Sequence, residues 1–160
     1  MAGTPARSDG LGGRWRLRKA PTSLPSEEWS GSEKAPRVLI ECEDTSMIWA
    51  MERLLSDAGY EVAACVGPSG EASCALETTG ECDLQAGADV IINHLGSDID
   101  TGGEIAHATH AAYPGTPVIV SARSHVDADY LASGAAVTLR EPWRSEDLLA
   151  AIDQLVSHQP

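Results

Sequence analysis

The sequence contains no phenylalanine, and tryptophan and tyrosine together bring the aromatic share to only 4%. A core without large rings must be aliphatic, built from Val, Ile, Leu and Ala. No apolar run approaches the ~18 residues that cross a bilayer, which excludes a membrane-spanning helix. The start of the chain also lacks the short apolar stretch of a secretory leader, so a cytoplasmic location is expected rather than secretion. The four cysteines show no Cys-x-x-Cys spacing. Without a leader they point to reduced thiols rather than a disulfide scaffold.

Basic residues are scarce, with 11 Lys and Arg against 24 Asp and Glu, giving a formal net charge of −13. They are also unevenly placed. Arg7, Arg14, Arg16, Arg18 and Lys19 lie in the first 20 residues with Asp9 as the one acid, while the other 140 residues hold 6 basic and 23 acidic side chains. So acidic a body repels nucleic acid and anionic membranes and favours basic protein partners. Contact with nucleic acid is expected only as a weak one, through the string Arg14-Trp15-Arg16-Leu17-Arg18-Lys19. Residues 1–35 are rich in Gly and Pro and show little periodicity, which predicts a disordered basic tail. The remaining length suits one domain, taken as 36–157.

Within that domain, short apolar runs alternate with helical patterns. Strands are expected at 37–40, 60–66, 89–92, 117–121 and 136–139. Thr45 is positioned to cap a helix carrying Ile48, Met51, Leu54, Leu55 and Ala58, which ends at Gly59. Further helices are expected at 71–78, 103–112 and 127–133, with a loop over 79–87. A last helix is capped by Ser145 and carries Glu146 and Asp147 in its first turn, where the helix dipole favours acids. Five such strands imply a doubly wound α/β protein, with a five-stranded parallel sheet covered on both faces. Functional groups in these sheets gather beyond the carboxyl ends of the strands. Those positions hold Cys42, Glu43 and Asp44, then Asn93 and His94, then Ser121, then Arg140 and Glu141.

Several segments carry a resemblance. They are Val38-Leu39-Ile40-Glu41-Cys42-Glu43-Asp44, the run from Leu54 to Val62, Ala88 to Gly102, Thr116 to Ala122, Ala132-Ser133-Gly134-Ala135, and Glu141-Pro142-Trp143. From Arg37 to about Leu155, roughly three quarters of the chain, the sequence resembles the CheY-like receiver domains of bacterial two-component response regulators. The resemblance implies a flavodoxin-like sheet of order 2-1-3-4-5 and a role in signal transduction. In that family two acids after strand one hold Mg²⁺, and an Asp after strand three accepts a phosphoryl group. A Ser or Thr after strand four and a Lys after strand five contact its oxygens, so that metal and ammonium offset its charge.

This chain departs from that pattern. Cys42-Glu43 stand for the acid pair. His94 stands for the acceptor, or Asn93 if the alignment slips by one residue. Ser121 matches, Glu141 replaces the Lys, and Thr138 stands where strand five carries an aromatic. Removing one carboxylate weakens a hard-cation site, and Glu43, Glu141 and Asp44 repel a phosphoryl dianion. Asp98 and Asp100 read as charges of a solvated loop and helix entry. His107 and His110 share one helix face. The expectation is a pseudo-receiver that is not an enzyme, has no cofactor, and signals through protein contact rather than Asp phosphorylation. With five residues after Leu155, no output domain is expected. The partner, or a second copy, would use the last strand and its flanking helices, with Tyr130, Arg140, Trp143 and Arg144 as anchors. No metal is assigned, although Cys42, Glu43, His94 and Glu141 form one mixed donor set. The competing reading is a thiol-based redox or metal sensor using Cys65, Cys74 and Cys82. Read as one straight helix, Cys74 and Cys82 lie ~12 Å apart, so that reading requires the chain to fold back at Gly80.

Overall fold

The computed structural model describes residues 28–31, 35–68, 74–95, 99–122 and 134–158. The elements are β1 (Arg37–Cys42), α1 (Thr45–Asp57), β2 (Glu61–Cys65), α2 (Ala75–Thr79), α3 (Asp83–Ala86), β3 (Val90–His94), α4 (Ile99–Ala112), β4 (Val118–Ala122), β5 (Val137–Arg140) and α5 (Ser145–Ser157). The strands form one parallel sheet of order β2-β1-β3-β4-β5, as the sequence implied. Strand residues alternate between its faces. Val38, Ile40, Cys42, Ile92 and Ile119 pack with Ile48, Met51 and Leu55 of α1 and Leu148 and Ile152 of α5. Leu39, Ala63, Ile91, Val118 and Val120 pack on the opposite face with Ala106 of α4. Among the described residues, no helix is long and apolar enough to cross a membrane.

The structure moves several expected boundaries. β3 runs on to His94 because Asn93 and His94 continue the ladder against Glu41 and Cys42 of β1. The expected loop over 79–87 contains α3. α4 begins at Ile99 rather than Gly103, and the buried Asn93 amide donates to the Gly102 carbonyl from within β3 (2.9 Å). Asp44, not Thr45, caps α1, its carboxylate accepting from the backbone N–H of Ser46 and Met47 (2.8 and 3.2 Å). Arg144, not Ser145, is the cap residue of α5, and its backbone N–H donates to the Asp147 carboxylate (2.9 Å). The helix expected at 127–133 and residues 71–73 lie outside the described residues.

Residues 28–31, ahead of the domain start expected near Pro36, also contact the body. Trp29 donates from Nε1 to the Leu84 carbonyl (3.2 Å), and the Arg37 guanidinium lies 5.6 Å from its ring centroid. Ser30 donates from both its backbone N–H and its hydroxyl to Glu61 (2.6 and 2.8 Å). An amphipathic ring and a polar neighbour thus attach residues 28–31 to the body. Residues 1–27 and 32–34, with the basic string, lie outside the described residues.

Candidate functional site

The carboxyl ends of β3, β4 and β5 bring His94, Ser121 and Glu141 to one crevice. Cys42 and His94 are register partners on adjacent strands. Glu141 follows β5 directly. Its Oε1 accepts from the Ser121 hydroxyl (3.1 Å) and lies 3.6 Å from His94 Nδ1, a distance of ion pairing but not of a hydrogen bond. Trp143 donates from Nε1 to Ser121 Oγ (2.9 Å). The hydroxyl therefore links the carboxylate to the indole, and all three groups are half-buried or buried.

The two acids after β1 are not poised as a pair. The Asp44 carboxylate is committed to capping α1, and Glu43 is exposed. Cys42 is fully buried among the aliphatic residues of the α1–α5 face. Burial pushes its thiol up to about 11, opposed by a hydrogen bond to the Asp44 carbonyl, so it stays a neutral packing group. Asn93 belongs to the other face. Besides holding Gly102, it accepts from the Leu95 backbone N–H (3.3 Å), which makes it a brace for the β3–α4 connection and leaves His94 in the crevice. Thr138 is half-buried on β5, and its hydroxyl has no hydrogen-bond partner. Asp98 lies outside the described residues, and Asp100 belongs to α4. His107 and His110 are exposed on α4, with the His110 ring packed against Gly134.

A groove of about 560 Å³ opens beside the crevice, between α1 and the start of α5. Met47, Met51 and Leu54 line one side, and His94, Glu141 and Trp143 the other. Trp143 lines this groove, with its indole N–H on Ser121. Arg140 and Arg144 are exposed near the end of β5, and Tyr130 lies outside the described residues.

The remaining cysteines surround a second hollow on the opposite face of the sheet. Gly80 ends α2 in the left-handed region (φ 79°) and turns the chain, so Cys74 before α2 and Cys82 before α3 line one cavity together with Cys65. All four cysteines are free thiols. Among the described residues, no three His, Cys, Asp or Glu side chains are grouped to hold one metal ion, in the crevice or here.

Sequence reasoning missed a polar network in this region. Glu41 is buried near the carboxyl end of β1, and Gln85 of α3 donates to it (2.6 Å) and to Thr109 of α4 (2.9 Å). The signal was present, because Glu41 interrupts an otherwise apolar run in a strand buried on both faces.

No protein-family model matches the chain, and no curated protein matches it in sequence. Solved structures do match. A CheY-like response regulator receiver domain protein from Methanospirillum hungatei JF-1 is 22% identical, with 77% of this chain and 94% of that one covered at a TM-score of 0.60. The chemotaxis protein CheY4 of Vibrio cholerae is 24% identical, with 76% and 98% covered at 0.58. A pilus assembly-related protein from Burkholderia pseudomallei K96243 is 22% identical, with 76% and 90% covered at 0.61. The sheet order and this coverage together identify the fold of the chain as that of the CheY-like response regulator receiver domains.

Proposed function

We propose that the chain is a pseudo-receiver: a cytoplasmic signalling module that acts by binding another protein, neither an enzyme nor a phosphoacceptor. The observation that supports this best is Glu141. A carboxylate held by Ser121 stands where the receiver pattern places an ammonium, and its neighbour at the acceptor position is an imidazole. A phosphoryl dianion there would meet negative charge and no carboxylate acceptor. The partner, or a second copy, binds at β5 and its flanking elements, where the exposed Arg144 presents a cation on an acidic body. The test is the intact mass of the protein after incubation with acetyl phosphate and Mg²⁺. An unchanged mass is expected. A phosphoryl group gained by the native chain and lost on replacing His94 would overturn the proposal.

A thiol sensor is the second reading, favoured by the convergence of Cys65, Cys74 and Cys82 on one cavity. Burial raises the Cys65 thiol, and the nearby Glu41 carboxyl and the other two cysteines add to the shift, so thiolate is disfavoured. Thiol counting before and after mild peroxide separates the two readings. Loss of a thiol pair supports the sensor, and four retained thiols support the pseudo-receiver.

A further inference from the structure

The groove between α1 and α5 has an apolar floor and an acidic surround. Met47, Ala50, Met51 and Leu54 of α1 line it with Pro142 and Trp143, and Glu141 lines its crevice side. Met47, Leu54 and Trp143 are half-buried and Ala50 is exposed, which leaves apolar surface open to solvent. Glu43 and Asp44 precede α1, and Glu146 and Asp147 open α5, all four exposed, with the exposed Arg144 ahead of the second pair. Apolar surface rimmed by charge marks a contact site, and thioether side chains adapt to many apolar partners.

The chain itself holds a complement to this surface. In Arg14-Trp15-Arg16-Leu17-Arg18-Lys19, cations alternate with large apolar side chains. In extended backbone, Trp15 and Leu17 project to one face and Arg14, Arg16 and Arg18 to the other. The string's four positive charges face a body, residues 21–160, in which 23 acids outnumber 6 bases. Reach permits the contact. Ser30 is fixed on Glu61 at the start of β2. Leu54, the lining residue nearest to Glu61 in sequence, precedes it by seven positions, so the two lie at most about 25 Å apart. The eleven positions from Ser30 back to Lys19 span up to about 36 Å. A tether of this kind gives the string an effective concentration on the order of millimolar at the groove, so a contact too weak for a separate peptide suffices.

We propose that this string is the occupant of the groove, with Trp15 and Leu17 against Met47, Met51 and Leu54 and its cations toward Glu141 and the flanking acids. The inference goes beyond the pseudo-receiver reading and holds whether or not the crevice takes phosphate. The docked string covers the groove side of His94, Glu141 and Trp143. It is autoinhibitory toward any partner that enters there, because that partner has to displace it.

The test uses the full chain labelled with ¹³C at the methionine methyl groups. Met47 and Met51 line the groove and Met1 is the third methionine, so two of the three signals report on the site. Trp15→Ala combined with Leu17→Ala is expected to shift both groove signals, because a ring current and two apolar contacts are removed. Leu11→Ala, a change in the same tail outside the string, is expected to shift neither. Replacing Arg14, Arg16 and Arg18 together by Ser keeps the apolar pair and isolates the charge. It is expected to move both signals toward their positions in the apolar double variant. Adding NaCl to about 1 M, where the Debye length is about 3 Å, is expected to do the same to the native protein. The proposal is overturned if both signals stay in place in the double variant, or if Leu11→Ala moves them equally. Native signals in the arginine variant would remove the charge complementarity on which it rests and overturn it as well. Signals that move with protein concentration would seat the string of a second copy in the groove instead, and so overturn docking within one chain.

Discussion

Glu41 sets the chemical character of this protein more than any residue of the crevice does. A carboxyl group in a strand covered on both faces is stable only when hydrogen-bonded or neutral. Here desolvation by burial pushes it up from 4.5 to about 7, and the Gln85 hydrogen bond opposes the shift. The folded state therefore holds the proton more tightly than the unfolded chain does. Stability on account of Glu41 is full below about pH 4.5 and is lost as pH rises toward 7, by roughly 3 kcal/mol in all. The titratable groups around the same cavity are the three cysteine thiols and Asp83. Glu41→Gln is expected to match the native protein in thermal stability at pH 5 and to exceed it by several degrees at pH 8. Melting curves across that range check this, and parallel profiles for the two proteins would refute it. Cys42 illustrates the other outcome of burial. A fully buried thiol raised to about 11 should react last with iodoacetamide at pH 8, after Cys65, Cys74 and Cys82. Mass mapping of the alkylated sites decides the order.

At the scale of elements, Asp44 shows an acid at a strand end serving as a helix cap. Asp44 lies in the segment where a receiver collects its metal-binding acids, yet its carboxylate closes two orphan N–H groups of α1. Asp44→Ala is expected to cost about 1 kcal/mol. Asp44→Asn retains an acceptor oxygen and is expected to restore most of that loss, which a charge-dependent metal role would not allow. Denaturant midpoints for the three proteins make the comparison. Trp29→Ala likewise removes a ring that bridges Leu84 and Arg37, and is expected to cost about 1–2 kcal/mol. The elements themselves were largely legible in the sequence, because buried parallel strands read as apolar runs and α1 and α5 carry clear apolar stripes. Their ends were not, because caps and register are tertiary. Only the pairing of Asn93 and His94 with β1 extends β3, and only the Asp44 geometry selects it over Thr45. The attachment of Trp29 was equally hidden, since nothing near it in sequence announces Leu84 or Glu61 as its neighbours' partners.

Across the whole molecule, the fold is that of the receiver domains, while the charge at its carboxyl-end crevice differs from the receiver pattern. His94 and Glu141 were found from strand-end positions alone, and the structure brings both to one crevice with Ser121, while Cys42 on the adjacent strand is buried in the core. What the sequence could not give was their coupling: the Ser121 hydroxyl joining Glu141 to Trp143, and the His94 imidazole beside the same carboxylate. On the pseudo-receiver reading proposed above, that coupling makes the absence of phosphoryl chemistry a joint property. His94→Asp alone would set a second carboxylate beside Glu141, and the pair would bind a proton more readily than it would attack a phosphoryl donor. Adding Glu141→Lys supplies the ammonium, and adding Cys42→Asp supplies a metal-binding oxygen on the adjacent strand. The three changes together leave the formal net charge at −13, so any gain comes from local placement rather than from the overall field. Circular dichroism first establishes that each variant is folded. The triple variant is then expected to take up one phosphoryl group from acetyl phosphate in the presence of Mg²⁺, with the alkali lability of an acyl phosphate, and His94→Asp alone is expected to take up none. Labelling of the single variant would mean that Cys42 and Glu141 are no obstacle and that one substitution separates this chain from a working receiver. A folded triple variant that stays unlabelled would show that the crevice has diverged beyond these three positions.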